Sequence, residues 1–428
     1  MRYLSFLSLV ILLGQACKPE AKSVVAPVLT VVSPALTNAL SFQDTLFFDI
    51  DIAHELKIEY AKITVINNNQ VPVLPAIILY PQSNNYHLVT SLVFDDFYLE
   101  SGVYSACLTL GIGGEVFNFW YPVNYEASPD VFEGILAVVR MPNSIGVYSV
   151  AENNLAEHVL NVDADYLAST VSSYDKILYC AGNVVAPLRA YHLTDFRELW
   201  SAAAASSPPL PLFTSLVSGH KIVFVGQRGA NIQGYSNTGQ SIFQSVQFTN
   251  GYFTCLAEGE NVLLSGFDEF NSAFDKLVVF NFPGGTVFRS LQIAGSIKGI
   301  EREGQNSYLV FVNHNDNGSA VYRYTLPENN LILLRNLPFI IKKDLKGSDN
   351  LFFLVSPEGL HWYTPASGSV VSLLEETDIV DVTYRVDNQN VYIARSNQFI
   401  TMNLATQQVI DAQSFQGELL SIHLLYTR

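Results

Sequence analysis

Charge is scarce in this 428-residue chain. Only 14% of its residues are Asp, Glu, Lys or Arg, and these lean acidic: 39 acidic against 23 basic, for a net charge of −16. A surface so short of Lys and Arg argues against sequence-independent binding to nucleic acid and against electrostatic adhesion to anionic lipid. Cysteine is also scarce, with four residues and no Cys-x-x-Cys spacing, which leaves a zinc site without support. Cys107, Cys180 and Cys255 fall in three separate strand-like segments and read as buried thiols acting as small apolar residues. No long stretch carries apolar residues at i, i+3, i+4 and i+7, so a helical solenoid is excluded. There is no Gly-x-Ser-x-Gly elbow, no phosphate loop and no His-Glu-x-x-His helix. No metal or cofactor is implied.

What the chain does have is a short apolar run that recurs seven times: Ile135–Val139, Lys176–Cys180, Lys221–Val225, Asn261–Ser265, Ser307–Phe311, Asn350–Leu354 and Asn390–Ala394. Successive starts lie 40 to 46 residues apart. Each run is followed by a hairpin and a second strand, usually with an aromatic, as in Gly146-Val-Tyr-Ser-Val150 and Leu360-His-Trp-Tyr363. A Gly/Asn/Thr-rich turn comes next, such as Glu152-Asn-Asn154 or Pro283-Gly-Gly285, and then a third strand. One further strand precedes six of the seven runs, for example Ile340–Leu345 and Ile379–Arg385. Four strands per repeat at this period predict a β-propeller with one blade per repeat. The first run has no strand just before it, and Leu419–Tyr426 is left over at the far end of the chain. Pairing the two closes a seven-bladed ring over 135–428 and leaves no bare flank.

Before the ring, residues 1–16 read as a signal peptide: Arg2, an apolar run from Leu4 to Leu13, then small residues up to Cys17. Removing Arg2 with the signal takes the net charge from −16 to −17. Residues 17–24 read as a tether, 25–127 as a β-sandwich and 128–134 as a linker. The sandwich rests on alternating strands at Val28–Val32, Thr45–Ile52, Tyr60–Ile66, Tyr86–Val93, Gly102–Leu110 and Phe117–Val123. Its most telling stretch is Leu99–Leu110, where a Gly turn leads into a strand carrying Tyr104, placed so that its hydroxyl caps nearby backbone.

Few residues suggest chemistry. Asp163 with Asp165, and Asp378 with Asp381, are the carboxylate couples that would supply acid and base at the mouth of the ring if it were catalytic, and no catalytic set is assigned beyond them. Asp268 and Glu269 stand in an acidic hairpin suited to a sugar hydroxyl or a cation. Asn313 and Asp316 belong to the run Asn313–Gly318, whose spacing echoes a calcium loop but lacks its carboxylates, so no metal site is assigned.

The whole pattern is all-β: an immunoglobulin-like sandwich followed by a seven-bladed propeller closed by the C-terminal strand. Residues 135–428 resemble the divergent propellers of the WD40-like and quinoprotein-like groups, on repeat pattern alone. Gly14-Gln-Ala-Cys17 resembles a lipoprotein signal of the relaxed Bacteroidetes type, which implies lipid attachment at Cys17 and an outer-membrane location, with secretion as the alternative. Ser356-Pro-Glu-Gly-Leu-His-Trp362 resembles the structural hairpin box of sialidase propellers, with Glu358 and His361 departing from that box. The signal resemblance implies an exported protein, and the propeller resemblance carries a fold and not an activity. The absence of a catalytic constellation on a clear scaffold leads to the expectation that the propeller is a non-catalytic scaffold for a protein or a glycan. The alternatives are a carbohydrate-active hydrolase or lyase, and a structural part of an envelope complex.

Overall fold

The computed structural model describes residues 24–35, 38–151, 156–163, 165–203, 212–314, 318–348 and 350–427. The signal segment, Cys17, the turn at 152–154 and Asp316 lie outside the described residues. Those that are described contain strands, turns and bridges but no helix. The chain divides into two compact units between Ser128 and Pro129.

The first unit is a seven-stranded sheet wrapped around one core, which includes Phe48, Ile50, Ile63, Leu88, Leu108 and Val123. Five of its strands account for the six segments expected from alternation, with one difference. Thr45–Ile52 and Tyr60–Ile66 are parts of a single strand, Thr45–Ile66. Its first half pairs with Val28–Ser33 and Ser83–Val93, and its second half with Gly102–Ile112. The reason is local. Ala53–Lys57 contains no Gly, Pro or Asn to turn the chain, so the strand bends instead of ending. His54 supports the bend: Nδ1 accepts from Leu56 N at 2.8 Å and Nε2 donates to Val25 O at 2.8 Å. The Tyr104 hydroxyl donates to the Glu100 carbonyl at 2.7 Å, capping the corner that leads into Gly102–Ile112.

The second unit is a ring of seven four-stranded antiparallel sheets. Every apolar run picked out in the sequence is the second strand of a blade. Buried on both faces, these strands need continuous apolar sequence, which is why they stand out. Leu136 to Val139, Phe224 and Val225, Leu309 to Val312 and Phe352 to Leu354 are all fully enclosed. The cores between neighbouring blades are shared; one joins Ile222 and Phe224 of the third blade to Phe253, Phe267 and Phe280 of the fourth.

The first strands of successive blades touch one another around the ring and form its inner wall. In the first blade that place is taken by the C-terminal strand Glu418–Thr427, which pairs antiparallel with Val131–Arg140. Leu419 stands opposite Val139, and Leu424 opposite Ile135. The closure read from the unpaired first run is therefore the one observed. A smaller departure occurs in the sixth blade. Its inner strand starts at Lys343, not at Ile340. The Asn313 side chain takes both backbone groups of Ile341, accepting from its N–H and donating to its carbonyl at 2.8 Å each, so Ile341 has nothing left to offer a ladder.

Candidate functional site

Antiparallel blades sort their loops onto two ends. The hairpin between second and third strands, and the connection from outer strand to next inner strand, emerge at one end. The remaining hairpins emerge at the other. The first end carries nearly all the residues that the sequence suggested for chemistry, and it is the candidate functional face. The structure shows how each is engaged.

Asp163 pairs with Arg189 at 2.9 Å, and Arg189 also holds Glu198 at 2.5 Å. Asp165 accepts from three successive backbone N–H groups: Val184 at 2.8 Å, Val185 at 2.5 Å and Ala186 at 2.7 Å. Burial works against its charge, but these donors together hold its pKa below the usual carboxylate range. Asp165 is thus the knot that shapes the loop after Ile177–Ala181. The hollow beside the two carboxylates has about 10 Å³ of free volume, room for a single water. Asp378 accepts from Arg395 Nε at 2.7 Å, which keeps its pKa low against the opposing effect of burial, and Glu376 lies 2.9 Å from the same guanidinium. Asp381 is buried. It accepts from Ile422 N at 2.9 Å and Val382 N at 2.8 Å, and pairs with Lys343 Nζ at 2.5 Å. Each of the four carboxylates is therefore held by donors of the fold. Asn313 is similarly committed to Ile341.

The hairpin box at Ser356 is a closed turn. Ser356 Oγ accepts from the N–H of Glu358 and Gly359 and lies 2.9 Å from His361 Nε2, while the His361 ring stacks on Phe339 with centroids 4.2 Å apart.

Asp268 and Glu269 end the second strand of the fourth blade. Glu269 pairs with Lys276 at 2.8 Å. Asp268 is the register partner of Tyr252 and, after burial, the next cause of that phenol's raised pKa. Here the structure adds Arg228 and Tyr252, which sequence reading did not single out for chemistry. Arg228, in the neighbouring hairpin of the third blade, lies with its guanidinium carbon 4.7 Å from the Tyr252 ring centre and 5.4 Å from that of Phe270. Phe270 is 45% exposed at the tip of its own hairpin.

The inner wall carries polar groups that sequence reading also passed over, Asp381 excepted. Ser169 Oγ lies 2.7 Å from His423 Nε2, 2.7 Å from the Tyr166 hydroxyl and 2.8 Å from Ser421 Oγ. This network fastens the closing strand to the second blade. Burial pushes the His423 pKa down to about 4, so its ring is neutral and bonded in the fold. Further round, the Asp344 carboxylate lies so close to Gly299 that a β-carbon there would stand 1.8 Å from Oδ1. Burial pushes the carboxyls of Asp344 and Glu301 up, and Asp344 pushes Glu301 further. Glu258 is raised to about 7 and Asp275 to about 6, both chiefly by burial. Cys180 and Cys255 are free thiols raised to about 12 by burial, which makes them poor nucleophiles. Among the described residues, no group of three or more His, Cys, Asp or Glu is placed to hold a metal ion.

These shifts set a pH dependence. A carboxyl raised in the fold keeps its proton where the unfolded chain has lost its own, so its contribution to stability is lost as pH rises to the folded value. For Glu258 that window runs from 4.5 to about 7, and for Asp275 from 3.8 to about 6. His423 acts oppositely, losing stability as pH falls from 6.5 to about 4. Four raised carboxyls outweigh one histidine. The melting midpoint is expected to fall between pH 5 and pH 8, on the order of 5 °C. Glu258→Gln is expected to flatten part of that slope by raising the midpoint at pH 8. A calorimetric midpoint that climbs over this range would contradict the assignment.

No family model matches the chain, and no curated protein matches it. Solved structures do. A putative 6-phosphogluconolactonase from Bacteroides fragilis is 11% identical, with a TM-score of 0.52, covering 68% of this chain and 97% of that one. The computationally designed Ika8 protein is 16% identical, with a TM-score of 0.51 over 68% of this chain and 88% of that one. A quinonprotein alcohol dehydrogenase-like protein from Bacteroides thetaiotaomicron is 11% identical and spans 94% of this chain and 99% of its own, at a TM-score of 0.45. At such identities the first two likenesses show the fold alone, that of a β-propeller.

Proposed function

We propose that this is an exported envelope protein, anchored through lipid on Cys17, whose propeller is a non-catalytic binding scaffold for a protein or a glycan. The observation that carries this reading is the engagement of Asp163, Asp165, Asp378 and Asp381. Each fixes a loop or an inner strand of the ring. Carboxylates used this way make the loops of the candidate face rigid, which lowers the ordering cost of binding. In this reading their role is to hold the fold, and not to supply an acid and a base.

In this reading the first unit is an immunoglobulin-like spacer. Its Tyr104–Glu100 bond and its paired strands support that assignment, while the unbroken strand Thr45–Ile66 sets it apart from a sandwich with separate sheets. The acidic balance points to neutral surfaces or to localised basic contacts in recognition, not to nucleic acid. The leader pattern ending at Cys17 supports the envelope location.

The test is binding of the mature chain, lacking the leader and Cys17, to an array of polysaccharides and to envelope protein extracts crosslinked in situ. Saturable binding that is lost when loops of the candidate face are substituted supports the scaffold. Binding confined to the opposite end of the ring would overturn it.

A further inference from the structure

Among the described residues, the arginine of the candidate face that lies across aromatic rings is Arg228. The other two that hold functional candidates, Arg189 and Arg395, are each pinned by two carboxylates. Arg228 is different: among the described residues no carboxylate is within ion-pair distance of it, although acidic residues outnumber basic ones 39 to 23 in the chain. Its guanidinium is instead laid over Tyr252 and Phe270. Cation–π contact orients a planar guanidinium without consuming its N–H donors. The three residues come from two adjacent blades and are fixed by backbone bonds. Arg228 N donates to Leu212 O at 3.0 Å, and Phe270 N donates to Asn250 O at 2.7 Å.

We propose that Arg228, Tyr252, Phe270 and Asp268 form a subsite for a carboxylate-bearing sugar residue of a glycan. The proposal rests on the scaffold reading above and deepens it. An oriented guanidinium with unused donors matches a carboxylate in bidentate fashion, and a neutral sugar makes no such demand. The exposed Phe270 ring offers an apolar face to the C–H side of a pyranose. Asp268, beside Tyr252, is an acceptor for a sugar hydroxyl, the role the sequence suggested for it. A local cation on a strongly acidic protein also selects for position: an anionic glycan is repelled elsewhere and attracted here.

The experiment uses the full mature chain and calorimetric titration with a galacturonic acid hexamer, its carboxyl-reduced counterpart, and a neutral glucan hexamer. The acidic hexamer is expected to bind, and its reduced form to bind at least about tenfold more weakly. Arg228→Gln is expected to cause a comparable loss, Arg228→Lys a partial one because an ammonium lacks the fork, and Phe270→Ala a loss for every hexamer that binds. Arg289→Gln, on the outer strand of the fourth blade, serves as a charge-matched control and is expected to change nothing. Thermal melts of each variant confirm the fold. Equal binding of acidic and reduced hexamers, untouched by Arg228→Gln, would overturn the subsite and leave the scaffold standing. No binding of any hexamer would overturn the subsite, and the scaffold reading would then rest on protein partners alone. Binding of the acidic hexamer lost equally in Arg289→Gln would mark bulk charge as its cause and overturn the subsite too.

Discussion

A chain ending at Gly417 is expected to lose its ring while keeping its first unit. The eleven residues removed look like an ordinary tail, yet Glu418–Thr427 is the inner strand of the first blade. Its loss takes away the buried side chains of Leu419 and Ile422, each worth about 1.5–3 kcal/mol in burial alone. It also strips the ladder from Val131–Arg140 and removes Ser421 and His423 from the network with Ser169. The larger effect is topological. Without the closing strand the first and seventh blades are no longer joined, and two inter-blade cores open to water. Folded domains are stable by only about 5–15 kcal/mol, so the sum is on the order of the whole. Limited proteolysis of the truncated chain is expected to leave a resistant fragment ending near Ser128 and to digest the rest. A truncated ring that melts cooperatively within a few degrees of the intact one would show that the closure is not what holds it.

Asp381→Ala is expected to be the most damaging single substitution on the inner wall. One carboxylate there ties three elements: its own strand through Val382, the closing strand through Ile422, and the sixth blade through Lys343. Asp381 is buried, with 4% of its side chain exposed, whereas Lys343 is 42% exposed. The asymmetry sets the magnitudes. Removing Asp381 leaves two buried N–H groups without an acceptor and costs about 3–5 kcal/mol. Lys343→Met leaves Asp381 its two backbone donors and removes a partner that water replaces in part, at about 1 kcal/mol or less. Denaturant titration separates the two: the midpoint of Asp381→Ala should drop sharply with the slope unchanged. Equal effects from the two substitutions would mean that the ion pair, not the backbone clamp, carries the stability.

The ring was legible because its second strands are enclosed on both faces and so read as continuous apolar runs at a fixed period. Closure was legible by counting, since six inner strands for seven runs leaves one place for Leu419–Tyr426. The first unit was harder. Alternation located its strands, but it gave no way to see that Ala53–Lys57 bends without breaking, which depends on His54 finding Val25 far back in the chain.

The candidate face was only partly legible. Asp163, Asp165, Asp378 and Asp381 stood out as carboxylates near inner strands, and each is held by donors of the fold. Their roles depend on which donors surround them, and that is set by loop geometry no spacing rule contains. Arg228 joins Tyr252 and Phe270 only because the third and fourth blades stand side by side, so no local motif announces the group. A usable signal did exist on the inner wall. Glu301, Asp344 and Asp381 are ionisable residues placed within inner strands, where an unpaired charge is costly, and their presence alone could have directed attention there.

The central claim is that the ring recognises its ligand and leaves it unchanged. The most direct measurement is mass spectrometry of a glycan recovered after prolonged incubation with the mature protein at saturating concentration. A chain length identical to the input is the expected result. Shortened or unsaturated products, formed by the intact protein and abolished by Asp163→Asn, Asp165→Asn or Asp378→Asn, would contradict it and turn the loop-holding carboxylates into catalytic ones.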